Sequence, residues 1–342
     1  MGMADILFFT SPIGLGHATR DYAISRHLAE SSIEFVTGSG AARLFERYHL
    51  NVQDVYCPPR FTVRDGALRG RLKWLWRYYR YYRECRQVAE SIIMKEPPRL
   101  IVSDEDFAAL AAGQAAKIPT VLVTDLLETD FVGGPASILE RRMNRSMQSM
   151  MARCRRVILP EDGADQKNIR RVGPIVRRTA KTRDELRREL EFTRDTILIT
   201  AGGTDAGRFL IDQAVQATAG SDADVVVVSG PSMDIKCDGV RRAGFVTDMH
   251  EWVYAADVVV SLAGRSTMDE AAAYGTPGIF IPIRDHFEQE SNARRMGFSY
   301  RDINRLSSLI RKMLSKNREP VASDGAVHAA ECISDILGEA NN

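Results

Sequence analysis

Short runs of aliphatic and β-branched residues alternate with longer helix-patterned segments along the whole chain, and this rhythm constrains the fold most. The run Val225, Val226, Val227, Val228 is apolar at every position. A strand buried on both faces reads that way, because its side chains meet helices on either side of a sheet. Similar runs lie at 6–10, 33–37, 52–56, 100–103, 120–124 and 157–159, and again at 196–200, 258–261 and 278–281. Helical patterns fall between them, notably at 18–29, 68–95, 136–154, 305–315 and 324–337. Such repetition predicts βαβ units and parallel sheets, hence an α/β fold. At roughly 100–200 residues per domain, the 342 residues predict two doubly wound domains with a cleft between them. Gly173 and Pro174 punctuate the junction. The expected division is 1–172 and 173–342, with the last helix free to pack back on the first domain.

Composition removes several classes of protein. With 44% apolar and 27% charged residues, the chain is neither disordered nor collagen-like. No run approaches the ~20 apolar residues of a membrane span, and the first residues lack the basic and apolar regions of a secretory signal. The cysteines Cys57, Cys85, Cys154, Cys237 and Cys332 are scattered and never form CxxC, which predicts neither a zinc site nor a disulfide framework and suits a reducing cytosol. Net charge is +1, but residues 1–172 carry +5 and residues 173–342 carry −4. Residues 60–86 hold nine basic and two acidic side chains.

Three glycine-containing turns each follow a predicted strand and precede a predicted helix. They are Gly14-Leu15-Gly16-His17, Ala201-Gly202-Gly203-Thr204 and Gly264-Arg265-Ser266-Thr267. Glycine lets backbone N–H groups approach a ligand, and the positive end of a helix dipole favours phosphate. None of the turns is a P-loop, and the first lacks the third glycine of GxGxxG, which disfavours a dinucleotide dehydrogenase.

The most specific stretch runs from Gly264 through Thr267 and Glu270 to Gly275-Thr276-Pro277 and Pro282, then Glu288, Gln289, Asn292 and Ala293. In order and spacing it resembles the donor-binding half of two-Rossmann (GT-B) nucleotide-sugar glycosyltransferases. The likeness is to the family-28 group, which contains the bacterial peptidoglycan N-acetylglucosaminyltransferase and diacylglycerol galactosyltransferases. The resemblance implies two Rossmann-like domains, a UDP-sugar donor on the C-terminal one and an acceptor on the N-terminal one. It also implies inverting, metal-independent chemistry with no cofactor beyond the donor substrate.

Residue by residue, the resemblance gives Glu270 the ribose hydroxyls; otherwise it is a helix-surface carboxylate. Gly264, Arg265, Ser266 and Thr267, with Gly202, Gly203 and Thr204, would hold the pyrophosphate. Gly14 and Gly16 belong to the N-terminal part of the same donor set. Val246 would meet the base through its backbone. Glu288 and Gln289 would contact the donor sugar, and Asn292 would support their turn. Arg265 stands where the family has a small or apolar residue. Ser261 and Leu262 stand where plant-type enzymes carry a histidine, which favours the family-28 subgroup.

His17 is the base candidate, oriented by Asp104 or Asp106, with Asp104 the nearer fit. The alternative is that His17 binds phosphate or caps its helix. A helix N-terminus disfavours imidazolium, so a neutral ring is expected. Asp104-Glu105-Asp106 also spells the DxD metal motif of single-Rossmann enzymes, read here as coincidence, with no metal ligand assigned.

Arg69, Lys73, Arg77, Arg80 and Arg83 are spaced 4, 4, 3 and 3, one stripe of a predicted helix, with Trp74 and Trp76 between them. Such a helix fits an anionic membrane surface or a lipid-linked acceptor; the other reading is a solvated basic face. No nucleic-acid signature accompanies it. The expected protein is a cytoplasmic glycosyltransferase, peripheral on the inner face of the membrane, with homo-oligomerisation left open. The competing readings are a nucleotide-sugar 2-epimerase of the same fold and a non-catalytic nucleotide-sugar-binding subunit.

Overall fold

In the computed structural model, residues 4–129, 137–202, 205–230 and 239–339 are described. The chain divides into two compact units. One comprises residues 1–60, 72–176 and 323–342; the other comprises 61–71 and 177–322.

The first unit is built on a seven-stranded parallel sheet in the order Val52–Asp54, Ile33–Thr37, Ile6–Thr10, Leu100–Asp104, Thr120–Val123, Arg156–Leu159, Ile169–Arg171. From Ile6–Thr10 the chain winds outward one way, and from Leu100–Asp104 the other. The ends of these two strands flank the switch point, where open α/β sheets bind ligands. Their register pairs Thr10 with Asp104, so the segments that follow emerge side by side.

The second unit repeats the design with five parallel strands, in the order Arg241–Gly244, Asp224–Val228, Thr196–Thr200, Val258–Leu262, Gly278–Ile281. Its switch point lies between Thr196–Thr200 and Val258–Leu262. Alternation along each strand feeds two cores: Ile197, Ile199, Val227, Val258 and Val260 face one helical layer. Leu198, Val226, Val228 and Val259 face the other. This explains the unbroken valine run.

Two segments of the first half depart from expectation. The helix expected from 68 begins at Arg71 and runs to Lys95. Ahead of it, Thr62–Arg64 and Ala67–Arg69 form an antiparallel hairpin. Gly70 adopts φ +67°, a left-handed turn that glycine tolerates and that stops the helix from extending back. Arg69 therefore sits in a strand of the second unit and outside the helical stripe. The hairpin is bonded there: Leu68 N donates to Arg284 O at 2.9 Å and Arg284 N to Gly66 O at 2.8 Å.

Candidate active site

At the first unit's switch point, His17 and Arg20 occupy one face of the helix Gly16–Ser25, three residues apart. Both reach Asp104 at the end of its strand. His17 Nδ1 lies 2.8 Å from Asp104 Oδ1. Arg20 Nε donates to Asp104 Oδ2 at 2.8 Å and its Nη2 to Oδ1 at 2.5 Å, a bidentate fork. The same guanidinium donates to Asp125 Oδ1 at 2.8 Å. Behind it, fully buried Asp21 accepts from Thr10 Oγ1 at 2.6 Å. The Asp21 carboxyl is pushed well above the usual carboxylate range, first by burial and then by Asp104.

Burial alone would lower the His17 pKa, but the carboxylates of Asp104 and Glu105 outweigh it and raise it to about 9. The neutral ring expected from the helix dipole is thus reversed: a full charge at 2.8 Å outweighs the partial charge of a helix end. Asp104 is buried too, yet Arg20 and His17 hold its carboxyl well below the usual range. Asp106 faces elsewhere. Its Oδ1 caps the helix Phe107–Ala115 by accepting from Ala108 N and Ala109 N, at 3.1 and 3.0 Å.

At the second unit's switch point, Ala201 and Gly202 follow one strand, with Gly202 at φ +73°. Gly203 and Thr204 lie outside the described residues. Gly264 follows the other strand as N-cap of the helix Arg265–Tyr274. A Cβ on Gly14, Gly202 or Gly264 would meet nothing within 4 Å, so backbone lies open at all three. Ser266 and Thr267 stand in the first turn, and Arg265 Nε donates to Asp269 Oδ2 at 2.7 Å. Glu270 is buried and accepts from Arg177 Nε at 2.8 Å, while Arg177 Nη1 donates to Thr247 O at 2.9 Å. The guanidinium thereby ties Glu270 to the loop that carries Val246. Glu288 and Gln289 begin the helix Phe287–Arg295, and Gln289 Oε1 accepts from Ile283 N at 3.0 Å. Asn292 Nδ2 donates to Ala263 O at 3.3 Å, joining that helix to the Gly264 turn.

On the helix Arg71–Lys95, Lys73, Arg77, Arg80 and Arg83 are exposed, and Trp76 is 62% exposed beneath the Arg80 guanidinium. Trp74 turns inward: its Nε1 donates to Pro59 O at 3.1 Å. Tyr81, Tyr82, Cys85, Ala89 and Ile93 form the seam against the core. Tyr79 is 59% exposed. No helix among the described residues is long and apolar enough to cross a membrane.

Sequence reasoning did not assign Arg20, Asp21, Glu105, Asp125 or Arg177. Only Arg20 left a local trace, its helical spacing from His17; the rest meet their partners through long-range register.

Two doubly wound sheets, each with glycine-containing turns at its switch point, define a two-Rossmann fold. Residues 196–329 match the glycosyltransferase family 28 C-terminal domain. An uncharacterized glycosyltransferase of Methanopyrus kandleri is 28% identical over 60% of this chain, and the chain spans 62% of that relative's length. A UDP-N-acetylglucosamine–N-acetylmuramyl-(pentapeptide) pyrophosphoryl-undecaprenol N-acetylglucosamine transferase of Clavibacter michiganensis is 33% identical over 34% of each chain. In overall fold the chain is similar to the glycotransferase of kitacinnamycin, with TM-score 0.67 and 14% identity over 98% of this chain and 100% of that one. Residues 196–329 are thus similar to a glycosyltransferase family 28 C-terminal domain, and the chain has the two-Rossmann (GT-B) fold.

Proposed function

We propose that this protein transfers a hexose or N-acetylhexosamine from a UDP-sugar to a hydroxyl of a lipid-linked or membrane-surface acceptor, with inversion at the anomeric carbon. The observation that carries this is the His17–Asp104 pair, 2.8 Å apart at the switch point of one sheet, in a chain whose residues 196–329 match the family 28 C-terminal domain. The second unit is assigned the donor. Open backbone at Gly202 and Gly264 suits a pyrophosphate, and Glu270, Glu288 and Gln289 are assigned its ribose and sugar hydroxyls. UDP-N-acetylglucosamine is the first donor to try, on the likeness to the Clavibacter transferase, whose name also supports a polyprenyl-pyrophosphate acceptor. The first unit is assigned the acceptor, whose reacting hydroxyl meets the cluster around His17.

The exposed Lys73, Trp76, Arg77, Arg80 and Arg83 are assigned to an anionic membrane surface, where a lipid-linked acceptor is found. The protein then works as a peripheral enzyme on the cytoplasmic face.

A panel of UDP-, GDP- and TDP-sugars tests the donor. A ligand at ~100 times its Kd stabilises the folded state by about 2.7 kcal/mol, readily seen as a higher melting temperature. Released nucleotide in the presence of a membrane lipid extract tests transfer. If no nucleotide sugar raises the melting temperature, the donor assignment fails.

A further inference from the structure

The two ring nitrogens of His17 face different acids. Nδ1 is taken by Asp104 at 2.8 Å. Nε2 faces Oε2 of Glu105 at 3.8 Å. That gap exceeds the roughly 2.7–3.2 Å of a direct N–H···O bond, yet one oxygen atom between the two can hydrogen-bond both.

Glu105 is held in this position. Its Oε1 accepts from Asp125 N at 2.9 Å and Thr124 Oγ1 at 3.1 Å, which leaves Oε2 as the oxygen toward His17. Its backbone sits at φ +53°, in the left-handed region that non-glycine residues seldom occupy. Strain of this kind gathers at functional sites, where the surrounding structure fixes it. The Glu105 side chain is 23% exposed and that of Asp104 is 0% exposed, so Glu105 is the one an incoming hydroxyl can reach.

We propose that Glu105, and not the imidazole of His17, takes the proton of the acceptor hydroxyl at neutral pH. This rests on the glycosyltransferase reading above. The acceptor oxygen sits between the two groups, accepting a hydrogen bond from Nε2–H and donating its own proton to Oε2. As that proton passes to Glu105, an oxygen lone pair forms the bond to the anomeric carbon. The bond from that carbon to the diphosphate breaks, and its electron pair leaves on the diphosphate oxygen. Glu105 returns its proton to solvent after the products depart.

The charges around the site agree. His17 is faced by Arg20 on its own helix and by Asp104 and Glu105 from the neighbouring strand end; Asp125 pairs with Arg20, Asp21 interacts with Asp104 and Arg20, and Tyr78 interacts with Asp106 and Glu105. With a pKa of about 9, His17 carries protons on both nitrogens near neutrality and has no lone pair to offer. Burial raises Glu105 above the ordinary glutamate value, the direction that strengthens a carboxylate as a base, with His17 and Arg20 opposing it.

Two measurements on the full-length protein decide. The first is 15N NMR of labelled histidine from pH 6 to 10, in wild type and Glu105→Gln. We expect His17 to be doubly protonated at pH 7.5 in wild type and to titrate at lower pH in the variant. The second is nucleotide release from UDP-N-acetylglucosamine with a membrane lipid extract, against pH. We expect the rate to rise on the acid side and level off through neutrality. Glu105→Gln should lose about 100-fold or more of kcat, the low end of what a positioned proton acceptor supplies, with donor KM unchanged. Glu105→Asp, which keeps the acid but withdraws it, should lose less and retain the acid limb. His17→Gln, which keeps an N–H donor, should remain more active than Glu105→Gln. A neutral His17 at pH 7.5, or a rate that climbs through pH 9 with Glu105→Gln still active, overturns the proposal. A wild type that turns over no nucleotide sugar overturns the transferase reading itself, and this proposal with it.

Discussion

Asp104 accepts from His17 Nδ1 and from Arg20 Nε, both at 2.8 Å, with no exposed surface of its own. Asp104→Asn should bring the His17 pKa down from about 9 toward its ordinary 6.5, measurable by the same NMR titration. It also strands the buried Arg20 charge, and removing one partner of a buried pair costs roughly 3–5 kcal/mol; Asp125 retains part of the pairing, so the low end is expected from urea unfolding. The sign of the pH dependence follows from linkage. The folded state holds the His17 proton more tightly than the unfolded chain does. Its contribution is therefore complete below pH 6.5 and disappears as pH climbs through about 9. The stability difference between wild type and His17→Asn should accordingly shrink from pH 6.5 to 9.5; a difference constant over that range contradicts the raised pKa. The acidic triplet is divided in its tasks, Asp104 serving His17 and Arg20 while Asp106 caps a helix. Once turnover is established, EDTA should leave the rate unchanged, whereas a chelator-sensitive rate would assign the triplet a metal. His17 was legible because two glycines and a helix start surround it. Glu105 was not, since its left-handed backbone and its bonds to Thr124 and Asp125 depend on strand pairing invisible in local sequence.

Among the elements, the strands were the most legible, because a buried parallel strand must be apolar at consecutive positions. Those missed are short: Thr62–Arg64 and Ala67–Arg69 make the hairpin, and Ile169–Arg171 and Arg241–Gly244 lie at sheet edges, where a charged side chain remains solvated. The helix Arg71–Lys95 was legible in type but displaced at its start. The basic spacing continues smoothly back to Arg69, and Asp65, Gly66 and Gly70, all at positive φ, mark the hairpin that interrupts it. What remains on the helix is a coherent face: Lys73, Arg77, Arg80 and Arg83 exposed, with Trp76 among them. Each Lys or Arg near an anionic bilayer contributes about 1 kcal/mol. Arg77→Gln, Arg80→Gln and Arg83→Gln together should then weaken co-sedimentation with phosphatidylserine-containing liposomes by about 100-fold. The wild-type binding should fall with salt and be absent from phosphatidylcholine liposomes. Binding indifferent to both leaves the face as a solvated helix surface.

On the scale of the whole molecule, two α/β units were legible from the repeated rhythm and the last helix was read as free to pack back on the first, but the transfer of residues 61–71 to the second unit was not legible. Residues 61–71 leave the first half of the sequence to join the second unit, and residues 323–342 return to the first. Chain crossings of this kind depend on where exposed apolar faces find partners, and periodicity reports only that such a face exists. In the helix Gly325–Glu339, Ala326, Ala329, Ala330, Ile333 and Ile336 are buried. The helix Gly16–Ser25, which carries His17, packs directly against it. At ~1.5–3 kcal/mol per fully buried aliphatic side chain, Ile333 and Ile336 alone contribute about 3–6 kcal/mol. Arg99 Nη2 adds a bond to Leu337 O at 3.4 Å, and His328 Nδ1 lies 3.4 Å from Val172 O. A chain ending at residue 322 should therefore lose stability in the first unit while the second keeps its own core. Hydrogen exchange makes the distinction. Amides of Ile6–Thr10 and Leu100–Asp104 should lose protection in the truncated chain, and those of Thr196–Thr200 and Val258–Leu262 should keep it. Because the helix bearing His17 rests on the deleted one, transfer activity should fall even where nucleotide-sugar binding persists. Equal loss of protection in both sheets would show instead that the two units unfold as one.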